Sequence, residues 1–227
     1  MKIGIHQPQF LPWLPYFLKI EACDYFVFLD IVDYQKNGLQ NRNQIKSING
    51  KQWLTIPIKN KLGQKINDVK IFNSSNWKKK HLSTIDQQYS KSKFFEKYFK
   101  ELKDIYNYEW DLLSNLNISI IKTIMRWLDI QTPLVLASEL EVSGKSNELI
   151  LNICKTLKAK EYISGIGAKT YIDEELFKKN NIILNFKETQ VIKEYEQLHS
   201  DQGFINDLSV IDIVFNCGET WRNYIDK

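Results

Sequence analysis

The opening thirty residues leave few folds available. "KIGIH" (2–6) is short and rich in β-branched residues, and Pro8 ends it, since proline forces the residue before it into extended geometry. Leu14, Phe17, Leu18 and Ala22 then recur at spacings of three and four, which predicts a helix over residues 10–22. Pro12 or Pro15 fits only its first turn, where a missing N–H costs nothing. "DYFVFLD" (24–30) is a nearly continuous apolar run, as a strand buried on both faces requires. A strand, a helix and a second strand in so short a span demand a right-handed crossover between parallel neighbours.

The same rhythm returns late in the chain: strand "PLVLAS" (133–138), helix 146–160, strand "EYISG" (161–165), a short helix near 172–179 and strand "NIILNF" (181–186). Between the two halves, residues 31–50 read as a polar, amide-rich loop with Asn49-Gly50 as a hairpin signal before "KQWLTIPI" (51–58), and "INDVKIF" (66–72) as a further strand. Residues 75–130 switch to helical patterns, with Ser75 or Asn76 as the first N-cap. The final "SVIDIVFNCGETWRNYI" is helical, interrupted by Gly218. The expectation is a mostly parallel, three-layer α/β sheet in a single domain, residues 1–227, carrying 75–130 as a helical insertion.

Bulk numbers narrow the function. At 227 residues the chain suits one α/β domain, and a formal charge of +4 is too mild for a nucleic-acid footprint, though it suits a ligand bearing phosphate. No DNA partner is expected. Cys23, Cys154 and Cys217 lack CxxC or metal-type spacing and read as reduced thiols, so neither a disulfide frame nor a metal is expected. There is no signal-peptide pattern and no run of eighteen apolar residues; the expectation is a cytoplasmic protein without a transmembrane segment.

Polar motifs gather at predicted strand ends, where parallel sheets bind ligands. In "HQPQF", His6 can move a proton near neutral pH and Gln7 can hold an amide or hydroxyl; otherwise the histidine only ties loop to sheet. In "YQKNGLQNRNQIK", Lys36 and Arg42 supply charge and Asn41 and Asn43 supply donors and acceptors for a phosphate- and hydroxyl-bearing ligand, against a solvated loop as the plain reading. In "SGIGAKTYI", Ser164, Gly165 and Lys169 offer N–H groups and an ammonium to an anion, although the stretch has neither the GxxxxGK[ST] nor the GxGxxG spacing and serves equally as a plain turn. In "NWKKKHL", Lys80 and His81 stand at a helix start where an anion can bind, with His81 the second candidate for proton transfer; adjacent lysines are more often a solvated face. Cys217 in "FNCG" is a possible nucleophile but more often a buried structural thiol. His199 sits in a polar loop and says little alone.

Together "IHQPQFLPWLPYFLKI", "DYFVFLDIVDYQKNGLQNRNQIK", "WLTIPI", "WKKKHL", "YISGIGAKTYID" and "LSVIDIVFNCG" resemble the WbqC family of bacterial polysaccharide and lipopolysaccharide (O-antigen) gene clusters, over essentially the whole chain and in the same order. Pro15 stands where the family more often has glycine, and Tyr195 to His199 is a loose version of its tyrosine- and proline-rich segment. The resemblance implies work on surface sugars: N-acyl transfer, of an aminoacyl or glycyl type, from an activated acyl donor to the amine of a nucleotide-linked amino sugar. His6 would be the base, Arg42, Lys36 and Lys169 would hold phosphates, and Asn41, Asn43 and Gln7 would orient the sugar or amino acid. No cofactor is evident. A more distant similarity, to HUP-fold HxGH nucleotidyltransferases, implies instead ATP- and Mg²⁺-dependent nucleotidyl transfer or amide ligation, but Trp13 and Tyr16 stand where that motif has histidines. The third reading is a non-catalytic sugar-nucleotide-binding or scaffold protein.

Overall fold

The structure is a computed structural model that describes residues 1–59, 61–188 and 190–226. In chain order its elements are β1 (Lys2–His6), α1 (Leu14–Glu21), β2 (Tyr25–Phe28), β3 (Arg42–Ser47), β4 (Gly50–Thr55), β5 (Ile58–Lys59), β6 (Lys70–Ile71), α2 (Trp77–Tyr89), α3 (Phe95–Asn107), α4 (Leu113–Trp127), β7 (Leu134–Leu136), α5 (Ser146–Thr156), β8 (Glu161–Gly165), α6 (Glu174–Lys179), β9 (Ile183–Lys187) and α7 (Ile211–Cys217), with 3₁₀ turns among them. They fall into two compact units.

The first unit takes residues 1–8 and 15–32 and the described residues of 130–189. It is a five-stranded parallel sheet in the order β7-β2-β1-β8-β9. Successive strands are laid outward on one side of β1 and then outward on the other, so the direction of winding reverses between β1 and β8. On one face Ile3, Ile5, Val27 and Tyr162 pack with Leu149, Ile153 and Cys154 of α5 and Phe177 of α6. On the other, Phe26 and Phe28 meet each other edge-on, and the Tyr16 ring of α1 meets Phe26 in the same way. Helices on both faces complete the expected three-layer α/β arrangement.

Helix α1 starts at Leu14, later than its periodicity predicts. Leu11 has φ +43°, and the Phe10 N–H donates to the Leu39 carbonyl, so residues 10–13 cannot continue a right-handed helix. Pro15 therefore occupies the first turn and Pro12 lies ahead of it. The helix rides close on β1: a Cβ added to Gly4 would lie 2.6 Å from Cys23 Sγ and 3.1 Å from the Phe26 ring.

The second unit holds residues 9–14 and the described residues of 33–129 and 190–227. The Asn49-Gly50 signal does close a hairpin, with Ser47 opposite Gly50 and Arg42 opposite Thr55. Part of the expected polar loop, Arg42–Ser47, is strand β3. The stretch 66–72 opens with a 3₁₀ turn, Ile66–Asp68, and its strand is confined to Lys70–Ile71. Helices α2, α3 and α4 form the helical region expected over 75–130; α3 turns Phe95, Tyr98, Leu102 and Tyr106 inward at helical spacing. A buried polar knot ties the last segment down: Tyr89 and Tyr195 donate to the Asp212 carboxylate at 2.8 and 2.7 Å, Gln197 Nε2 donates to it at 2.8 Å, and Lys46 Nζ donates to Gln197 Oε1 at 3.0 Å.

Gly4→Ala should overpack the α1 interface and lower unfolding free energy by about 1–3 kcal/mol in urea titrations. The double variant with Cys23→Ala should recover part of that loss; equal losses in the single and double variants would mean that the close approach at Gly4 is not the cause.

Candidate functional site

Strands β1 and β8 part before they end. Their pairing runs from Lys2–Glu161 to Gly4–Ile163 and stops, yet β1 stays paired with β2 through His6–Phe28 and β8 with β9 through Gly165–Lys187. The last two residues of each strand thus frame an opening at the point where the winding reverses, the place where open α/β sheets bind ligands.

Parting leaves a ladder carbonyl without its strand partner. The His6 carbonyl accepts from Leu29 N–H on the β2 side, and carbonyls alternate in direction along a strand, so the Ile5 carbonyl faces β8. Its donor is Lys19 of α1, whose Nζ lies 2.8 Å away. Lys19 is only 8% exposed. None of the ion pairs among the described residues includes it, and burial lowers its pKa from 10.5 to about 8, with the Cys23 thiol acting the other way.

His6 sits on the same sheet face, with the Tyr16 ring edge-on at 5.0 Å. Its Nδ1 is 3.1 Å from the Gln7 carbonyl oxygen. A carbonyl only accepts, so this contact puts the ring proton on Nδ1 and leaves Nε2 as an acceptor. Burial, aided by the Lys19 ammonium, lowers the pKa to about 4, which keeps the imidazole neutral at physiological pH. The Tyr16 hydroxyl donates to the same Gln7 carbonyl at 3.0 Å, fixing the turn that carries the histidine.

Across the opening Gly165 is extended, with φ −75° and ψ 153°, and a Cβ there would meet nothing within 4 Å. Neither backbone nor packing requires glycine at this position; its effect is empty space. The Ser164 hydroxyl is buried on the opposite face, 3.5 Å from Tyr162 OH. Lys169 is exposed in the following 3₁₀ turn, its Nζ 6.0 Å from the Phe186 ring centre. Beside Gly165, Lys187 donates to the Leu18 carbonyl at 3.1 Å.

The remaining candidates lie in the second unit. Asn41 and Asn43 are buried with their amide donors spent on the carbonyls of Ile56 and Leu11, at 2.9 and 2.7 Å, and Asn41 Oδ1 accepts from Tyr34 OH. Both hold the hairpin to its surroundings. Arg42 stacks over the Trp53 ring at 4.4 Å while its Nη2 donates to Asn37 O at 2.6 Å. Lys36 and Lys80 are exposed. His81 is 5% exposed with Nδ1 at 3.2 Å from Tyr106 OH and Nε2 at 3.1 Å from the Thr55 carbonyl. With both nitrogens engaged it offers no free base, and burial lowers its pKa to about 4 as well. Cys217 is buried and its thiol pKa is pushed up to about 12, as for an inert structural thiol.

Sequence reasoning passed over Lys19 and Lys187. A signal for Lys19 exists: within "LPYFLKIE" it is the one basic residue on a helix that is otherwise apolar on nearly every side. Among the described residues no cluster of three or more His, Cys, Asp or Glu side chains is arranged for a metal, and no helix is long and apolar enough to cross a membrane.

These features define an α/β protein whose parallel sheet opens at its switch point onto a neutral histidine and a buried ammonium. The chain belongs to the WbqC-like protein family, whose model matches residues 7–224. It is 32% identical over 227 residues, covering 99% of this chain and 97% of the other, to a Mycobacterium tuberculosis protein named "Uncharacterized protein Rv1507c". No solved structure matches the chain.

The two depressed imidazoles predict an acid-sensitive fold. Each folded-state pKa of about 4 lies below the unfolded 6.5, so the stability they contribute is complete above pH 6.5 and is lost as pH falls towards 4. In an NMR titration, the His6 and His81 resonances, assigned with His6→Asn and His81→Asn, should keep neutral-form shifts down to about pH 5; midpoints near 6.5 would contradict this environment.

Proposed function

We propose that the protein is a cytoplasmic transferase of surface-polysaccharide synthesis that forms an amide on the amine of a nucleotide-linked amino sugar. The observation that carries this reading is His6: a neutral imidazole at the β1–β8 opening with Nε2 available to accept a proton. The family supplies the setting in bacterial surface sugars, as the sequence resemblance implies.

The reaction balances without a metal or redox partner. The sugar amine attacks the carbonyl of an activated acyl donor, R–CO–X, forming the C–N bond; X leaves with the C–X electron pair. His6 Nε2 takes one amine proton as the nitrogen becomes acidic during bond formation and returns it to X, so the products are the amide and HX. Gln7, Gly165 and Lys169 are proposed to line the substrate's path at the same sheet edge, with Ser164 contributing backbone. The nucleotidyl-transfer alternative gains no support from this unit, since Tyr16 stands at one of the HxGH histidine positions and its hydroxyl serves the Gln7 carbonyl.

Incubation with UDP- or dTDP-linked amino sugars and acyl thioester or aminoacyl donors should yield a new amide by mass spectrometry. His6→Ala should lower turnover by about 10²–10⁴-fold with little change in KM. Full turnover in His6→Ala would remove the base assignment. Sugar-nucleotide-dependent thermal stabilisation without any product across the panel would favour a binding protein instead.

A further inference from the structure

The opening between β1 and β8 contains a charge that the fold leaves unanswered. An ammonium held in a protein interior is costly unless paired. Among the described residues, Lys19, more than nine-tenths buried, has only a neutral carbonyl, Ile5 O, at 2.8 Å. Among the described residues, the groups around it do not supply an anion: His6 on β1 is neutral, Cys23 keeps its proton because its pKa is raised to about 11, and Lys187 on β9 is a second cation whose hydrogen bond goes to the Leu18 carbonyl. Asp24 and Glu161 lie at the other end of the strands, beside Lys2. If plugging the ladder were its whole purpose, a neutral donor would do so without the charge.

We infer that this opening is an oxyanion subsite: Lys19 is the floor, Lys187 a second cation, and the space above Gly165 receives a phosphoryl or carboxylate group of the ligand. The inference deepens the proposed transferase reading by naming what holds the substrate's anionic part, and it stands or falls on binding, not on turnover. Gly165 gives the geometry its room, since a side chain there meets no protein atom and would enter the same space. An anion seated on Lys19 also cancels the charge that helps to depress His6, so ligand binding would strengthen the imidazole as a base. Because the unliganded ammonium has a pKa of about 8, anion affinity should fall as pH rises through that value.

The test uses the full chain, with pyrophosphate, inorganic phosphate and acetate as probes, followed by isothermal titration calorimetry and by the His6 NMR resonance. The wild type should bind at least one probe and show a perturbed His6 signal. Lys19→Met should remain folded, its melting temperature set by two opposing changes, removal of a buried charge and loss of the Ile5 carbonyl's donor, and should bind that probe about tenfold or more weakly. Gly165→Ala should also fold normally and lose affinity. Preference for the phosphates over acetate identifies a phosphoryl subsite; preference for acetate identifies a carboxylate. If no probe perturbs His6, or if Lys19→Met lowers the melting temperature while leaving probe affinity unchanged, Lys19 is a structural plug and the subsite is refuted. Amide formation with an unperturbed His6 and unchanged anion affinity would refute the subsite while sparing the transferase reading.

Discussion

The hydrogen bond from Lys19 Nζ to the Ile5 carbonyl, 2.8 Å long, is the interaction on which the site depends. A parallel sheet fully zipped between β1 and β8 would bury its switch point and offer no crevice. Unzipping it exposes ladder groups that must find other partners. Lys19 reaches one of them because α1 lies tight on β1, and α1 lies tight because Gly4 lacks the Cβ that would strike Cys23 Sγ. The parted strand ends, the depressed His6 and the space at Gly165 are thus parts of one arrangement.

Two buried polar centres illustrate how satisfaction separates structure from function. In the second unit, the Asp212 carboxylate accepts from Tyr89, Tyr195 and Gln197, and Lys46 is bonded to Gln197 and the Gly203 carbonyl. Such a network rigidifies a segment and leaves little to offer a ligand. His81 belongs with it, having both nitrogens occupied. Around Lys19 and His6 the balance differs: among the described residues there is a charge without a counterion, a ring nitrogen without a donor, and a glycine that no packing constraint explains.

Much of the first unit was legible in the sequence because parallel strands announce themselves as short apolar runs between proline, glycine and helical periodicity. Strand β1 falls on its expected residues, and the late β-α-β rhythm differs from the structure only by a few residues at each end. The delayed start of α1 was not legible, since it follows from the left-handed Leu11 and a backbone bond to a distant loop. Nor was the fate of Asn41 and Asn43, whose polarity reads as ligand chemistry until their distant carbonyl partners are known. Of the site, His6 was visible as a rare residue type at a strand end, whereas Lys19 was masked by its place in a helix. Its meaning depends on a gap between two strands more than 150 residues apart in the chain, as the Lys2–Glu161 pairing shows.

A crystal structure of the protein with a UDP-linked amino sugar tests the central claim most directly. The account predicts ligand between the parted ends of β1 and β8, with an anionic oxygen within hydrogen-bonding distance of Lys19 Nζ and the sugar amine near His6 Nε2. A ligand bound elsewhere, with the β1–β8 opening empty and Lys19 still held only by the Ile5 carbonyl, would contradict it.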